Sequence, residues 1–196
     1  LGQYQLMEKL GEGGMGVVYR ARHALLKRPT AIKLLLPDKI SLSALARFER
    51  EVRLAAKLRH TNTVTIYDYG HSPDGIFYFA MELLDGASAD NIVEEWGGLP
   101  PGRVVHIMAQ VARALNEAHG VGLIHRDITP SNIMICRHAG EFDVAKVVDF
   151  GLAREIQAEP EERLSKAGEI AGTPLYMAPE CLTDPDGVDG RCDVYS

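Results

Sequence analysis

The stretch HRDITPSN, residues 125–132, combines a histidine, an arginine, a carboxylate and an amide in one short segment. Its proline and serine predict a loop rather than a helix. In such a loop Asp127 could orient or deprotonate a hydroxyl group, and the amide oxygen of Asn132 could bind a metal ion. Taken alone, an aspartate of this kind is more often a surface charge or a turn former. Other motifs in the sequence are needed to distinguish a functional Asp127 from a surface charge or a turn former.

A second carboxylate lies downstream of this loop. Asp149 opens the triplet DFG and follows AKVV, an apolar segment with the pattern of a strand. A site for a phosphoryl donor needs hard oxygen ligands for metal ions, because the donor has several negative charges. Asn132 and Asp149 are the candidates for these ligands.

A glycine-rich segment lies upstream, where GEGGMG, residues 11–16, fits the pattern G-x-G-x-x-G. A dinucleotide site would need a helix after the last glycine, so that the helix N-terminus meets the pyrophosphate. The residues that follow, VVYRARH, favour a strand instead. We therefore predict a β-hairpin whose backbone could cover phosphates, and a purely structural hairpin stays open as the alternative.

Lys33 and Glu51 are a candidate ion pair. In the strand segment TAIK, Lys33 shares a face with Ala31, where a flat ring could sit. Glu51 lies on the same helical stripe as Ala55 and Leu58, where a carboxylate is costly unless a cation meets it. We predict that Lys33 pairs with Glu51. A solvated lysine and a purely structural ion pair are the alternatives.

Composition narrows the class of protein. The chain has 196 residues, of which 46% are hydrophobic, and a net charge of −6, which argues against a non-specific nucleic-acid binder. Three widely spaced cysteines, Cys136, Cys181 and Cys192, fit free thiols better than disulfides or a zinc site. No apolar run approaches the length of about 20 residues that a membrane span needs, and no signal peptide opens the chain.

The coarse pattern changes near Asp85 and Gly86. Before this point the sequence predicts strands with one helix, SLSALARFEREVRLAAKLRH, which has a candidate cap at Ser41 or Ser43. After it, PGRVVHIMAQVARALNEAHGVG predicts a long helix that ends at His and Gly, and NIMICR and AKVVDFG predict short strands.

The ordered series GEGGMG, AIK, Glu51, HRD, Asn132, DFG and APE resembles the protein kinase signature set. The resemblance runs from Leu10 to Ser196, and the segments RFEREVRLAAKLRH and GTPLYMAPE are similar to the eukaryotic-like serine/threonine kinases of bacteria. It implies an α+β, two-lobed fold. The β-rich small lobe would cover residues 1–84, and the mainly helical large lobe, incomplete at its C-terminal end, would cover residues 85–196.

The resemblance also implies roles for individual residues. The catalytic residues would be Lys33, Glu51, Asp127, Asn132 and Asp149, and the last two would bind Mg²⁺ or Mn²⁺. ATP would be bound by Leu10, Gly11, Glu12, Gly13, Gly14, Met15, Gly16, Val18, Ala31, Lys33, Met81, Glu82, Leu84 and Met134. Ser165 is the candidate regulatory phosphosite, since its phosphate could pair with Arg126. A serine without a function is the alternative there.

Two features depart from the family pattern. Thr129 stands where serine/threonine kinases usually have a lysine that reaches the transferred phosphate, which predicts a working but slow enzyme. Asp193 matches the buried aspartate that hydrogen-bonds the HRD backbone, but the arginine that usually pairs with Glu180 would come after Ser196. The chain starts without Met and stops inside DVYS. We expect a piece of a longer protein that is marginally stable alone.

The implied function is that of a serine/threonine protein kinase whose partners are ATP and a protein substrate, with no nucleic acid. Two alternatives stay open: a pseudokinase, favoured only by Thr129, and a small-molecule kinase, disfavoured by the segment that ends in APE. Relatives also suggest a homodimer through the small lobe. We expect a cytoplasmic kinase domain in a parent protein that can have a membrane anchor outside this chain.

Overall fold

The computed structural model describes residues 1–13, 16–35, 42–72, 75–150, 174–183 and 187–196. Packing divides the chain into two compact units. Unit 1 comprises residues 1–41 and 64–84, and unit 2 comprises residues 42–63 and 85–196. One boundary between them falls at Leu84 and Asp85.

Unit 1 is built on an antiparallel sheet of five strands in the order β1-β2-β3-β5-β4. The strands are β1 (Tyr4–Gly13), β2 (Gly16–His23), β3 (Pro29–Leu35), β4 (Ile66–His71) and β5 (Phe77–Glu82). Gly13 pairs with Gly16 at the end of the β1–β2 ladder, so the glycine-rich segment joins two strands. The hairpin predicted from GEGGMG is therefore confirmed, and a strand rather than a helix follows its last glycine.

The two faces of this sheet differ in composition. One face forms an apolar core, made by Tyr4, Ala21, Ile32, Tyr78 and Ala80. Ala31 and Lys33 alternate with Ile32 along β3 and therefore lie on the other face. Lys33 is 8% exposed, an unusual burial for an ammonium group, and such burial is stable only beside anionic or polar groups.

Unit 2 contains most of the helical structure and a second sheet. Its helices are α1 (Leu42–Ala55), α2 (Ala89–Trp96), α3 (Pro101–Gly120), α4 (Glu180–Thr183) and α5 (Arg191–Tyr195). Strands β6 (Gly86–Ser88), β7 (Ile133–His138) and β8 (Glu141–Val147) form the antiparallel sheet β6-β7-β8. Short 3₁₀ turns cover Pro130–Asn132 and Pro174–Tyr176. No helix in the described part of the chain is long and apolar enough to cross a membrane.

Helix α3 has the predicted amphipathic pattern. Its buried side recurs at helical spacing and consists of Ile107, Gln110, Val111, Ala114, Leu115 and Ala118. The buried amide of Gln110 bonds to β8, because its Oε1 accepts from Ala145 N at 3.0 Å and its Nε2 donates to the Asp143 carbonyl at 2.8 Å. Asn62 Nδ2 donates to the same Oε1 at 2.8 Å and to the Ala145 carbonyl at 2.7 Å. These bonds fix the strand that leads to Asp149.

Helix α2 and strand β6 were not predicted from the sequence. Ser88 caps α2, since its Oγ accepts from Asn91 N at 3.1 Å. The helix has only eight residues and none of its side chains is buried, so it lacks the apolar stripe that identifies longer helices. The proposed caps of α1 lie outside what is described, because Ser41 and the Ser43 side chain are not included.

We expect Gly86→Ala to destabilise unit 2. A Cβ atom at Gly86 would lie 2.2 Å from the Ile135 carbonyl oxygen, which belongs to the paired backbone of β7 and cannot move away cheaply. The expected loss is about 1–3 kcal/mol in the free energy of unfolding, measured by urea denaturation. Gly102→Ala on α3 is the control, because a Cβ there meets nothing within 4 Å. Equal unfolding midpoints for the two variants would contradict this expectation.

Helix α1 packs as part of unit 2, whereas the division predicted from the sequence places it in the small lobe. The boundary at Leu84 and Asp85 is common to both descriptions. The assignment of residues 1–84 and 85–196 to two kinase lobes stays a prediction.

Candidate active site

Unit 1 brings four of the predicted ATP-binding residues to one face of its sheet. Val18 pairs with Lys33 across β2 and β3, and Ala31 pairs with Met81 across β3 and β5. Directly paired residues share a face, so Val18, Ala31, Lys33 and Met81 lie on the side opposite the apolar core. Three of these side chains are apolar and share this face with one cation, which suits a flat apolar ring attached to a phosphate chain.

The other predicted ATP-binding positions of unit 1 are more dispersed. Leu10 is 44% exposed and lies beside an irregularity in the β1–β2 register. Glu82 is hydrogen-bonded to the chain before β4, because its Oε1 accepts from Thr65 N at 2.7 Å. Gly11, Glu12 and Gly13 end β1, Leu84 follows β5, and Gly14 and Met15 lie outside the described residues. In unit 2, Met134 lies on β7 opposite Ser88.

In unit 2 the loop HRDITPSN holds Asp127 and Asn132 together. Asn132 Nδ2 donates to the Asp127 carbonyl oxygen at 2.8 Å and to Asp127 Oδ2 at 3.0 Å. Both protons of the amide nitrogen are thus directed at Asp127, and the amide oxygen Oδ1 points away from it. The same side chain therefore fixes the carboxylate and presents an oxygen to another ligand.

His125 supports the loop from within. Its side chain is fully buried and packs against the ring of Phe150, with 4.9 Å between the ring centroids. Nε2 lies 2.9 Å from the Val148 carbonyl oxygen, and Nδ1 accepts from Asp127 N at 3.3 Å. This pattern requires a neutral ring protonated on Nε2. The ring therefore connects the backbone of Asp127 to that of Val148, the residue that follows β8.

Asp193 on α5 hydrogen-bonds the same loop from the other side, as the sequence predicted. Its buried carboxylate accepts from His125 N at 2.8 Å and from Arg126 N at 2.7 Å. The neighbouring thiol of Cys192 is also buried, and desolvation followed by the charge of Asp193 raises the pKa of Cys192 to about 12. Arg126 has a φ of 62°, which an L-residue adopts only when its surroundings enforce it.

The two candidate metal ligands lie on connected backbone. Val148 N donates to the Asn132 carbonyl at 3.0 Å, so the residue before Asp149 is tied to the end of the loop HRDITPSN. Asn132 and Asp149 offer hard oxygens, the ligands that Mg²⁺ prefers. The described residues contain no group of three His, Cys, Asp or Glu side chains that could hold a metal ion by themselves. The pair suits a cation that arrives with phosphate oxygens, as magnesium does.

Thr129 is buried within the loop and bonded to another of its residues. It is 5% exposed, and its Oγ1 lies 2.8 Å from Ser131 Oγ. A neutral hydroxyl group, in contact with that of Ser131, therefore stands where the family pattern has a lysine.

Glu51 and Arg126 approach each other within unit 2. Arg126 Nη1 lies 3.9 Å from Glu51 Oε1, and both side chains are largely buried. Lys33 belongs to unit 1, so its predicted pairing with Glu51 stays a prediction. Ser165 lies outside the described residues.

We expect acid to destabilise the fold through His125. Burial lowers the pKa of His125 below its ordinary value of about 6.5. Above that value both the folded and the unfolded state hold a neutral ring; below it the unfolded state takes up a proton that the folded state excludes. Stability is therefore lost as pH falls below about 6.5, by at most about 1.4 kcal/mol per pH unit from this group.

Urea midpoints at pH 7.5 and pH 5.5 measure this effect. His125→Gln should show a smaller difference between the two pH values than the wild type. The exposed His106→Gln on α3 should keep the wild-type difference. An unchanged pH dependence in His125→Gln would contradict the assignment.

Sequence reasoning missed three supporting residues. It gave no role to His125, to Ser131 as the partner of Thr129, or to His119, whose Nε2 lies 2.7 Å from Asp193 Oδ2. Only His125 had a local signal, namely its place inside the loop. The contact with His119 joins residues that are 74 positions apart, and no short pattern could have found it.

Comparisons with known proteins identify the family. Residues 4–196 match the family model of the protein kinase domain, and the chain belongs to that family. The fold agrees, because the crystal structure of the Mycobacterium tuberculosis PknI kinase domain superposes with a TM-score of 0.75 at 32% identity. That match covers 97% of this chain and 69% of the other. The predicted α+β kinase-like fold is confirmed.

Curated relatives come from bacteria, as the sequence resemblance indicated. Serine/threonine-protein kinase pkn3 of Myxococcus xanthus is 39% identical over 196 residues, which are 99% of this chain and 36% of the relative. Serine/threonine-protein kinase PknD of Mycobacterium tuberculosis is 40% identical over 196 residues, or 100% of this chain and 28% of the relative. The chain thus spans about a third of the length of the curated relatives it matches.

Proposed function

We propose that the protein is a serine/threonine protein kinase that transfers the γ-phosphate of ATP to a hydroxyl group of a protein substrate. The observation that supports this most is the double hydrogen bond from Asn132 to the carbonyl and carboxylate oxygens of Asp127. It fixes a carboxylate in a loop whose backbone is also held by Asp193. A fixed acceptor for a hydroxyl proton is what phosphoryl transfer needs from the protein.

In this proposal each side chain has a distinct task. Asp127 Oδ2 is held by Asn132, and Oδ1 accepts the hydrogen bond of the substrate hydroxyl and orients it towards the phosphorus atom. Lys33 pairs with the α- and β-phosphates, and Glu51 is its partner. Mg²⁺ held by Asn132 and Asp149 would supply charge neutralisation for the phosphates. The β1–β2 hairpin covers the phosphate chain with backbone N–H groups.

Transfer of label from γ-labelled ATP to a basic acceptor protein tests the proposal in the full-length protein. We expect phosphoserine or phosphothreonine after acid hydrolysis, and no transfer when a chelator removes divalent cations. A pseudokinase would bind a fluorescent ATP analogue and transfer no label. A small-molecule kinase would consume ATP only with a low-molecular-weight acceptor.

We expect Thr129→Lys to raise the turnover number about 10- to 100-fold. A lysine at this position could give the transferred phosphate a charge-assisted hydrogen bond, worth about 1.5–3 kcal/mol, which a hydroxyl group does not provide. Steady-state kinetics measure the change. Thr129→Met is the matched control, because it has similar length without charge and also removes the contact with Ser131. A turnover number for Thr129→Lys no higher than that of Thr129→Met would refute the charge argument.

The remaining assignments also belong to this proposal. Ser165 is the proposed regulatory phosphosite, and its phosphate would add about −1.5 to −2 charges that Arg126 could pair with. We further propose a cytoplasmic kinase domain that forms a homodimer through the small lobe. Cys136, Cys181 and Cys192 form no disulfide bond, which fits a reducing compartment.

A further inference from the structure

Two of the three cysteines lie side by side in unit 2. Cys181 belongs to α4 and Cys192 to α5, and their thiol groups are within hydrogen-bonding reach of each other. Both thiols are free. Cys192 is 1% exposed, whereas Cys181 is partly open to solvent. The two sulfur atoms therefore have the proximity that a disulfide bond requires, although the residues are on different helices.

Backbone contacts hold the two helices at this distance. Cys181 N donates to the Ala178 carbonyl at 3.0 Å, which fixes the start of α4. At the end of α5, Ser196 N donates to the Cys192 carbonyl at 3.2 Å. Ser196 Oγ donates to the Tyr176 carbonyl at 2.6 Å and so joins α5 to the turn before α4. The proximity of the thiols thus follows from the packing of their helices and not only from the two side-chain conformations.

A metal ion is the other common partner of paired thiols. A zinc site takes at least three protein ligands. Within the described ranges, however, no group of three His, Cys, Asp or Glu side chains could hold a metal ion. The pair has instead the features of a redox pair, in which one thiol is reached by solvent and the other is protected.

The two thiols differ in reactivity. Oxidants react with the thiolate form of a cysteine and with the thiol that they can reach. Cys192 is protected on both counts, because burial raises the pKa of its thiol to about 12 and its Sγ donates to Asp193 Oδ1 at 3.7 Å. Cys181 is the partly exposed member of the pair. An oxidant that reaches unit 2 therefore meets Cys181 first.

We infer that Cys181 and Cys192 form a reversible disulfide bond when the protein meets a peroxide. The Cys181 sulfur attacks hydrogen peroxide, which leaves a sulfenic acid on Cys181 and releases water. The Cys192 sulfur then attacks the Cys181 sulfur, the S–O bond breaks, and the departing hydroxide takes the Cys192 proton as water. Two thiols and one hydrogen peroxide thus give one disulfide and two water molecules. A dithiol reductant reverses the reaction by thiol–disulfide exchange.

The disulfide would act on the acceptor side of the proposed active site. An S–S bond is about 2.0 Å long, shorter than the hydrogen-bonding distance between two thiols, so its formation draws α4 and α5 together. Helix α4 begins at Glu180 and ends the segment GTPLYMAPE, which in the proposed function contacts the acceptor protein. Oxidation should therefore weaken acceptor binding and spare ATP binding. This kinetic consequence rests on the proposed kinase function, whereas the disulfide itself does not.

Peptide mapping of the full-length protein tests the disulfide. The protein is treated with hydrogen peroxide, its remaining thiols are alkylated with N-ethylmaleimide in denaturant, and it is digested with trypsin without reductant. Trypsin cleaves after Arg191, so Cys181 and Cys192 fall in separate peptides. We expect these two peptides joined in the mass spectrum and separated again by dithiothreitol, while the buried Cys136 is recovered alkylated. Recovery of an alkylated Cys192 beside a thiol or a sulfinic acid at Cys181 would overturn the inference.

Steady-state kinetics test the consequence. Peroxide should raise KM for the acceptor protein at least about threefold, change KM for ATP less than about twofold, and lose its effect after dithiothreitol. Cys181→Ser should show no joined peptides and no response to peroxide, whereas Cys136→Ser keeps both thiols and should respond as the wild type does. An acceptor KM that stays the same in the oxidised protein would refute the link to acceptor binding. If the wild type transfers no phosphate in either state, the proposed function fails, and peptide mapping alone then decides whether the disulfide forms.

Discussion

Asp127→Asn should lower the turnover number about 10²- to 10⁴-fold and leave ATP affinity within about twofold of the wild type. The amide cannot accept a proton, and its NH₂ group would compete with Asn132 Nδ2, which donates to Oδ2 at 3.0 Å. ATP affinity should persist because, in the proposed mechanism, Asp127 contacts the acceptor hydroxyl rather than the nucleotide. Single-turnover transfer and equilibrium ATP binding are the two measurements.

Asp85→Asn is the matched control for this variant. It removes the same charge from a side chain that is 75% exposed and pairs only at the surface with Arg137. Surface pairs of this kind contribute little, so its turnover should equal that of the wild type. If Asp127→Asn kept more than about a tenth of the wild-type turnover, Asp127 would not be the proton acceptor.

Asp193→Asn should cost both stability and activity. Its carboxylate accepts from two backbone N–H groups and from His119, and an amide would put its own N–H groups against at least one of these donors. We expect a loss of about 3–5 kcal/mol in the free energy of unfolding, which is the range for breaking a buried charged network. Urea denaturation measures the loss, and turnover is compared at a temperature where circular dichroism shows the variant folded.

Asp189→Asn separates this effect from the general removal of a nearby charge. Asp189 is largely exposed and bonds to Arg191 in the same segment. Its replacement should shift the unfolding midpoint only slightly. An Asp193→Asn variant with the midpoint of Asp189→Asn would show that the buried carboxylate is not the support described above.

The sequence predicted the fold class and the residue types of the site, because short motifs such as HRD and DFG join chemistry to local structure. It also predicted that GEGGMG would join strands, since VVYRARH has β-branched residues at the decisive positions. The sequence could not predict hydrogen bonds between residues that are far apart along the chain. His119 and Asp193 are 74 positions apart, and Asn62 and Ala145 are 83 positions apart, so neither contact has a local signature.

The sequence did not predict helix α2, and the reason is different. It has eight residues without a buried side chain, and periodicity detects a helix only through the face that it buries. Thr129 shows the limit of motif comparison, because the motif marks it as a departure but gives no sign of its partner. The hydrogen-bonding distance to Ser131 explains how the loop accommodates that residue without a charge.

Unit 1 is discontinuous in sequence, since residues 64–84 complete a sheet begun by residues 1–41. Strand β3 pairs with β5, so Lys33 gains its neighbour Phe79 only after all of α1 has been synthesised. Chains emerge from the ribosome N-terminus first, so residues 42–63 of unit 2 leave the exit tunnel after β1 to β3 and before β4 and β5. The sheet of unit 1 therefore stays incomplete during this part of synthesis. The lysine proposed to bind phosphate therefore reaches its final setting only after β5 has been synthesised, and a nascent chain halted before Phe77 should not hold ATP.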